Sequence, residues 1–205
     1  MLKSENDKIL QLKTTLEGTN PLVWRRILIE NKATFLALHN AIQKSFGWED
    51  SHLHEFRVAG ASIGLMPDDM DAFEDEKPDF ESKKTLLPQF LEKEDQTILY
   101  VYDFGDDWMH KIKLEKILQK EKGKKYPACI DGAMNCPPED CGGIYGFEEF
   151  KKAVSDKKHP EHKEMLDWIG DYFDPKEFDL EETNVSLGHK RLKPGRPAER
   201  WVPSV

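Results

Sequence analysis

Positive charge is what this 205-residue chain is short of: 30 Lys and Arg stand against 39 Asp and Glu, a formal net charge of −9. A general nucleic-acid binder neutralises phosphates with surplus Lys and Arg on its docking face, so the body of the protein is unsuited to that role. Long apolar runs are missing too. Nothing approaches the roughly 20 apolar residues of a membrane-spanning helix, and residues 1–8 hold no apolar signal core, so a cytoplasmic protein with no membrane association is expected. Cysteine is limited to Cys129, Cys136 and Cys141. An odd number in one segment makes no disulfide framework and leaves free thiols or metal ligands. No serine sits in a G-x-S-x-G elbow, no C-x2-C knuckle occurs, and Cys141-Gly142-Gly143 is not followed by the Lys-Ser/Thr of a phosphate-binding loop. Serine nucleophiles, zinc ribbons and P-loops are thereby left without their usual signatures.

What is present suffices for one packed domain: 38% hydrophobic residues, 10% aromatic. The acidity is concentrated. Residues 67–84 hold eight Asp or Glu against three Lys, and residues 137–182 hold fourteen against six. The tail runs the other way, with Lys190, Arg191, Lys193, Arg196 and Arg200 against Glu199. The organisation expected is a polar leader at 1–7, one α+β domain at 8–187 and a disordered basic tail at 188–205.

Periodicity supplies the elements. Leu10, Leu12, Thr14 and Leu16 alternate with polar residues, Gly18-Thr19-Asn20-Pro21 breaks the pattern, and Val23, Ile27 and Ile29 resume it, which predicts a β-hairpin over 8–29. Arg25 and Arg26 within it need partners or solvent. Thr34 as N-cap, Phe35, Leu38, Ile42 and Phe46 at helical spacing and Gly47 as stop predict a helix, on which His39 reads as a surface or boundary residue. A strand carrying His52, His54, Phe56 and Val58 on one face follows, with a short return strand between Gly60 and Gly64. Residues 67–84 read as an acidic loop without the calcium-loop spacing, and 85–91 as a turn or two of helix limited by Pro88. Tyr100 and Tyr102 alternate towards Gly105-Asp106-Asp107, after which Trp108, His110, Ile112 and Leu114 alternate again, predicting two long strands around a tight acidic turn. Residues 126–143 read as irregular, 147–154 and 162–169 as amphipathic helices, and 175–187 as a last helical segment.

The chemistry-bearing residues gather around that turn. His52, His54 and His110 lie on faces that are otherwise apolar, and with Cys129, Cys136 and Cys141 they are candidate ligands for zinc or manganese, since His and Cys are the preferred zinc donors. C-x6-C-x4-C is no zinc-ribbon spacing, and a His and Asp hydrogen-bond network that orders the sheet is the favoured reading. Asp106 and Asp107 could serve as general acid and base, but such pairs more often tighten a turn.

Four motifs resemble, in order, those of the plasmid pRiA ORF-three-like family. They are Pro21-Leu22-Val23-Trp24-Arg25-Arg26; Gly47-Trp48-Glu49-Asp50-Ser51-His52-Leu53-His54-Glu55-Phe56, with Leu38-His39 before it; Tyr102-Asp103-Phe104-Gly105-Asp106-Asp107-Trp108-Met109-His110; and Cys136-Pro137-Pro138-Glu139-Asp140-Cys141-Gly142-Gly143. The likeness continues through Phe173-Asp174-Pro175 and Phe178-Asp179. It implies a single α+β domain of bacterial and archaeal proteins, carried on plasmids and chromosomes, with no established activity. Some relatives carry a transposon-resolvase label. This chain lacks the phosphate-binding arginines of a serine recombinase, having only Arg25, Arg26 and Arg57 before the tail.

The expectation is a single α+β domain, a curved, mainly antiparallel β-sheet with helices packed on it. Its function is expected to be non-enzymatic binding of a protein or small ligand, through a pocket lined by His52, His54, Asp103, Asp106, Asp107, Trp108 and His110. Metal-dependent hydrolysis by His52, His54, Asp103 and His110 is the alternative. Mobile-element-associated nucleic-acid binding through the basic tail is a third.

Overall fold

The computed structural model describes residues 8–66 and 77–191, so the polar leader, most of the acidic loop and residues 192–205 of the tail lie outside the described residues. Strands β1 (Lys8–Leu16) and β2 (Val23–Glu30) form the predicted hairpin, with Leu16 opposite Val23 and Leu10 opposite Ile29. Thr19 closes the turn: its hydroxyl donates to the Leu16 carbonyl and accepts from the Val23 amide, each at 3.0 Å. Helix α1 (Phe35–Phe46) begins where the Thr34 hydroxyl accepts the Ala37 amide and ends at Gly47, whose φ of 77° favours glycine.

The strands β3 (His54–Val58) and β4 (Ala61–Gly64) pair antiparallel, and the short β5 (Phe80–Glu81) joins β4 in parallel, so the expected loop already returns to the sheet at Phe80. Residues 87–89 make one 3-10 turn, in keeping with the limit that Pro88 imposes. The strands β6 (Thr97–Tyr102) and β7 (Trp108–Gln119) form the second long hairpin, Tyr100 opposite His110 and Tyr102 opposite Trp108.

Residues 126–143 are not irregular throughout. Strand β8 (Ala128–Ala133) pairs antiparallel with β2. Its sequence, Ala-Cys-Ile-Asp-Gly-Ala, has no alternation of large apolar residues, so its strand character comes from the open backbone edge of β2 and not from its own pattern. Helices α2 (Gly143–Ser155), α3 (His162–Ile169) and α4 (Leu180–Ser186) complete the chain.

The eight strands lie in the order β5-β4-β3-β6-β7-β1-β2-β8, an open and mostly antiparallel sheet in one α+β domain. Register shifts at Gln11/Leu12 and Arg26/Ile27 are bulges, which bend the strands that carry them. The core lies against one sheet face, where Leu10, Leu12, Ile27, Tyr100, Trp108 and Ile112 meet Phe35, Leu38 and Ile42 of α1, all fully enclosed. Burying each of these large side chains contributes roughly 1.5–3 kcal/mol. Helix α4 packs on α1 and β8, and α2 on α3. Among the described residues no helix is long and apolar enough to cross a membrane.

Candidate functional site

The antiparallel pairing brings the start of β3, the end of β6 and the start of β7 to one end of the sheet. The connection between β6 and β7 is a five-residue loop in which Asp103 and Asp107 both have positive φ, 55° and 54°. Aspartate tolerates that conformation because its side chain bonds to nearby backbone. Here the Asp103 carboxylate accepts the Gly105 amide at 2.9 Å, and the Asp103 carbonyl accepts the Asp107 amide at 2.7 Å. Phe104, which continues the alternation of β6 on paper, lies in this loop and is exposed. The Asp106 carboxylate accepts the Gly142 amide at 3.1 Å, tying the loop to the N-terminus of α2. Gly143 permits the approach: a Cβ there would lie 2.6 Å from the Asp106 carbonyl oxygen.

Inside this end of the sheet is a closed ring of polar contacts. The Gln43 amide donates to the Tyr100 hydroxyl at 2.9 Å, leaving the hydroxyl proton for His39 Nδ1, also at 2.9 Å. His39 Nε2 then donates to Asp50 Oδ1 at 2.7 Å, and the Asp50 amide returns to Gln43 Oε1 at 3.1 Å. His39 is therefore no surface histidine; it is 0% exposed. The signal was in its spacing, four residues after Phe35 and three before Ile42 on the buried stripe of α1. Burial lowers its pKa, against the opposing pull of Asp50.

His54 lies flat on His39, ring centres 3.6 Å apart and planes 13° from parallel. Neither of its ring nitrogens has a hydrogen-bond partner among the described residues, although the residue is only 4% exposed. Burial, reinforced by the neighbouring His39, pushes its imidazole down to about 3, so both lone-pair and N–H sites of a neutral ring face the interior. His110 is enclosed by Phe46, Trp48 and Tyr100 and bonds through Nδ1 to the Trp108 carbonyl at 3.0 Å, with Nε2 lacking a hydrogen-bond partner among the described residues. Trp108 is likewise buried, and its indole N–H finds no partner among the described residues.

His52 takes a different place from the one its alternation with His54 suggests. Strand β3 begins only at His54, and His52 precedes it at the surface. Its Nε2 lies 3.0 Å from Asp140 Oδ1 and 3.7 Å from Asp103 Oδ2. Behind it the Tyr102 hydroxyl accepts the amides of Ser51 and His52, at 3.0 and 3.3 Å, and donates to Glu139. Trp48 stacks on Tyr102 and donates its indole N–H to the Pro137 carbonyl at 2.9 Å. The 136–143 loop is thus held against the His52 segment by Trp48 and Tyr102.

The sequence-predicted residues therefore separate into distinct surroundings. His52, Asp103 and, through the loop, Asp106 meet at the rim; His54 joins His39 and Asp50; His110 and Trp108 sit in aromatic packing. Cys129 and Cys136 are buried beside Arg25, both thiols pushed up to about 11 by burial, and Cys141 lies half-buried near Asp106. Two groups place three metal-type donors within 4.8 Å of one another among the described residues: His39, Asp50 and His54, and His52, Asp103 and Asp140. Neither contains a cysteine or His110. Reading the sequence missed His39, Asp50, Glu139 and Asp140 as site residues, although all four lie inside the quoted motifs.

Beyond Asp140 the rim opens into a groove of about 450 Å³ between α2 and α3. Phe150, Ala153, Met165 and Trp168 line it, and Asp140, Glu149, Glu161 and Glu164 edge it. Phe150 meets Trp168 edge-on at 5.7 Å, and Trp168 keeps 48% of its surface exposed.

An open α+β sheet with a polar His and Asp end and an acid-edged helical groove defines the class of domain. Residues 8–182 match the family described as plasmid pRiA4b ORF-3-like protein, and the chain belongs to that family. It is 32% identical over 193 residues to the uncharacterized protein y4hQ of Sinorhizobium fredii (strain NBRC 101917 / NGR234), covering 94% of this chain and 97% of that protein. Its fold resembles the crystal structure of the protein of unknown function MM3350 from Methanosarcina mazei Go1, with a TM-score of 0.73 and 40% identity over 84% of this chain and 96% of the other. These homologues are themselves uncharacterised.

Proposed function

We propose that the protein is a non-enzymatic binding module that takes a basic, apolar-anchored segment of a partner protein in the groove between α2 and α3. The observation that carries this reading is the pairing of an apolar lining with carboxylates. Trp168 and Met165, over a floor made by the buried Phe150, offer the aromatic and sulfur surface typical of an interface centre, and Asp140, Glu161 and Glu164 surround it with negative charge. Glu149 is already paired with Lys152 at 2.7 Å, so the other three acids supply the attraction. The surrounding stretch 137–182, with fourteen acids against six bases, extends the same field. Three unpaired cysteines fit a reducing compartment, the cytoplasm.

Chemical-shift mapping with synthetic Lys- and Arg-rich peptides carrying one or two aromatic residues tests this reading. Shifts are expected at Phe150, Ala153, Met165 and Trp168, with binding weakened at least about tenfold by Glu161→Lys with Glu164→Lys, a loss of about 1.4 kcal/mol. Shifts elsewhere, or affinity indifferent to the charge reversal, would overturn it.

Metal-dependent hydrolysis is the second reading, favoured by one observation, the meeting of His52, Asp103 and Asp140 at an accessible rim. It requires zinc- or manganese-dependent turnover of ester or phosphoester substrates that disappears in His52→Ala; a folded protein without such turnover ends it.

A further inference from the structure

We propose that His39, Asp50 and His54 form a binding site for one divalent transition-metal ion of the zinc class. This goes beyond the groove and rests on none of its residues. Two imidazoles and a carboxylate are a donor set that such ions accept, with a fourth position left for solvent. The three residues come from separate places, α1, the connection after it and the start of β3, and their donor atoms lie within 4.8 Å of one another.

The observation that points to a ligand is His54. A buried imidazole with neither nitrogen satisfied forfeits hydrogen bonds that it would make in water, a loss of about 1–3 kcal/mol for each unsatisfied group. Its neighbour on the stack has no such deficit, because His39 is bonded on both sides. An ion bound at one His54 nitrogen would satisfy that atom. The second group, His52 with Asp103 and Asp140, has no comparable feature; its histidine is half-exposed and already bonded to Asp140.

The surroundings match what a ligand set needs. His39 Nε2 faces Asp50, so ligation there moves the ring proton to Nδ1, which then donates to the Tyr100 oxygen instead of accepting the Tyr100 hydroxyl proton, the kind of outer partner that orients a metal-bound imidazole. The Asp50 backbone is fixed by Gln43, and its side chain is 48% exposed, which gives the ion a path from solvent. Tetrahedral bonds of 2.0–2.1 Å hold donor atoms about 3.3 Å apart. The 2.7 Å contact between His39 and Asp50 must therefore open by roughly half an ångström, and the His54 ring must turn from its parallel stack to aim a lone pair at the ion.

The test uses full-length protein purified without a metal-affinity tag, stripped with chelator and titrated with Zn2+ by calorimetry and with Co2+ by visible absorption. The expected result is one equivalent bound, with cobalt bands of nitrogen and oxygen ligation and no thiolate charge-transfer band. His54→Phe, which keeps a flat ring on His39, should abolish binding. Asp50→Asn, at an exposed position whose positive φ asparagine tolerates, should weaken it by more than the roughly 10- to 100-fold that loss of an outer partner costs. His52→Ala should bind like the parent. Folded, stripped protein that takes up neither ion overturns the proposal. So does binding that survives Asp50→Asn unchanged, that is lost in His52→Ala, or that shows a thiolate band. If His54→Phe fails to fold, Asp50→Asn and His52→Ala decide.

Discussion

The Arg25 guanidinium donates to the Cys136 thiol across 2.8 Å in the interior, with no carboxylate bonded to it among the described residues. Its other donors go to three backbone carbonyls, Ser45 at 3.0 Å, Trp24 at 2.9 Å and Ala133 at 3.0 Å, and its plane lies over the Phe178 ring at 4.4 Å. One side chain thus ties β2 to the end of α1, to β8 and to the loop carrying Cys136. Arg25→Leu leaves those carbonyls without their donor and should cost roughly 3 kcal/mol or more. Arg25→Lys should recover only part of this, because an ammonium cannot reproduce the planar fork. Urea denaturation checks it: the midpoint falls in both variants, further in Arg25→Leu, at unchanged slope.

His110 makes stability depend on pH. Burial pushes its imidazole down to about 3, whereas the unfolded chain titrates near the ordinary 6.5. Above about 6.5 both states are neutral and the group adds no pH dependence. As pH falls below that, the unfolded state takes up the proton first, so stability drops by about 1.4 kcal/mol per pH unit from this residue down to about 3. Urea midpoints between pH 7 and 4.5 should therefore fall more steeply for the parent than for His110→Phe. Parallel pH profiles would show that the imidazole titrates normally.

The Tyr102 hydroxyl holds Ser51, His52 and Glu139 together. Removing it in Tyr102→Phe keeps the stack on Trp48 but leaves two amides without an acceptor and Glu139 with only the Glu49 amide as donor, costing about 1–2 kcal/mol. Hydrogen exchange should accelerate at the Ser51 and His52 amides and stay slow at Ile112 in the centre of β7. Unchanged exchange at Ser51 and His52 would mean that the hydroxyl does not anchor the rim.

Much of the fold was legible because its signals are local. The alternation of Leu10, Leu12, Thr14 and Leu16, the Thr34 cap and the Gly47 stop each describe a few consecutive residues, and each appears where the pattern put it. Strand β8 was hidden because its residues are small and its pairing partner lies a hundred positions earlier. Residues 52 and 54 alternate correctly for a shared strand face, but pairing with β6 starts at His54, which frees His52 to turn towards Asp140.

By itself the sequence determined the periodic elements, the acidic field, the aromatic faces of the β6–β7 hairpin and membership of the family. Only the tertiary structure decided which titratable groups meet. His39 and His54 are fifteen residues apart and belong to different elements, so no spacing rule relates them; the packing of α1 on β3 and β6 lays one ring on the other. Asp140 reaches His52 for the same reason, since Trp48 and Tyr102 hold its loop across the sheet end. Local pattern fixes which face of an element is apolar, whereas a site is made where the faces of distant elements converge, and that depends on register and burial across the whole chain.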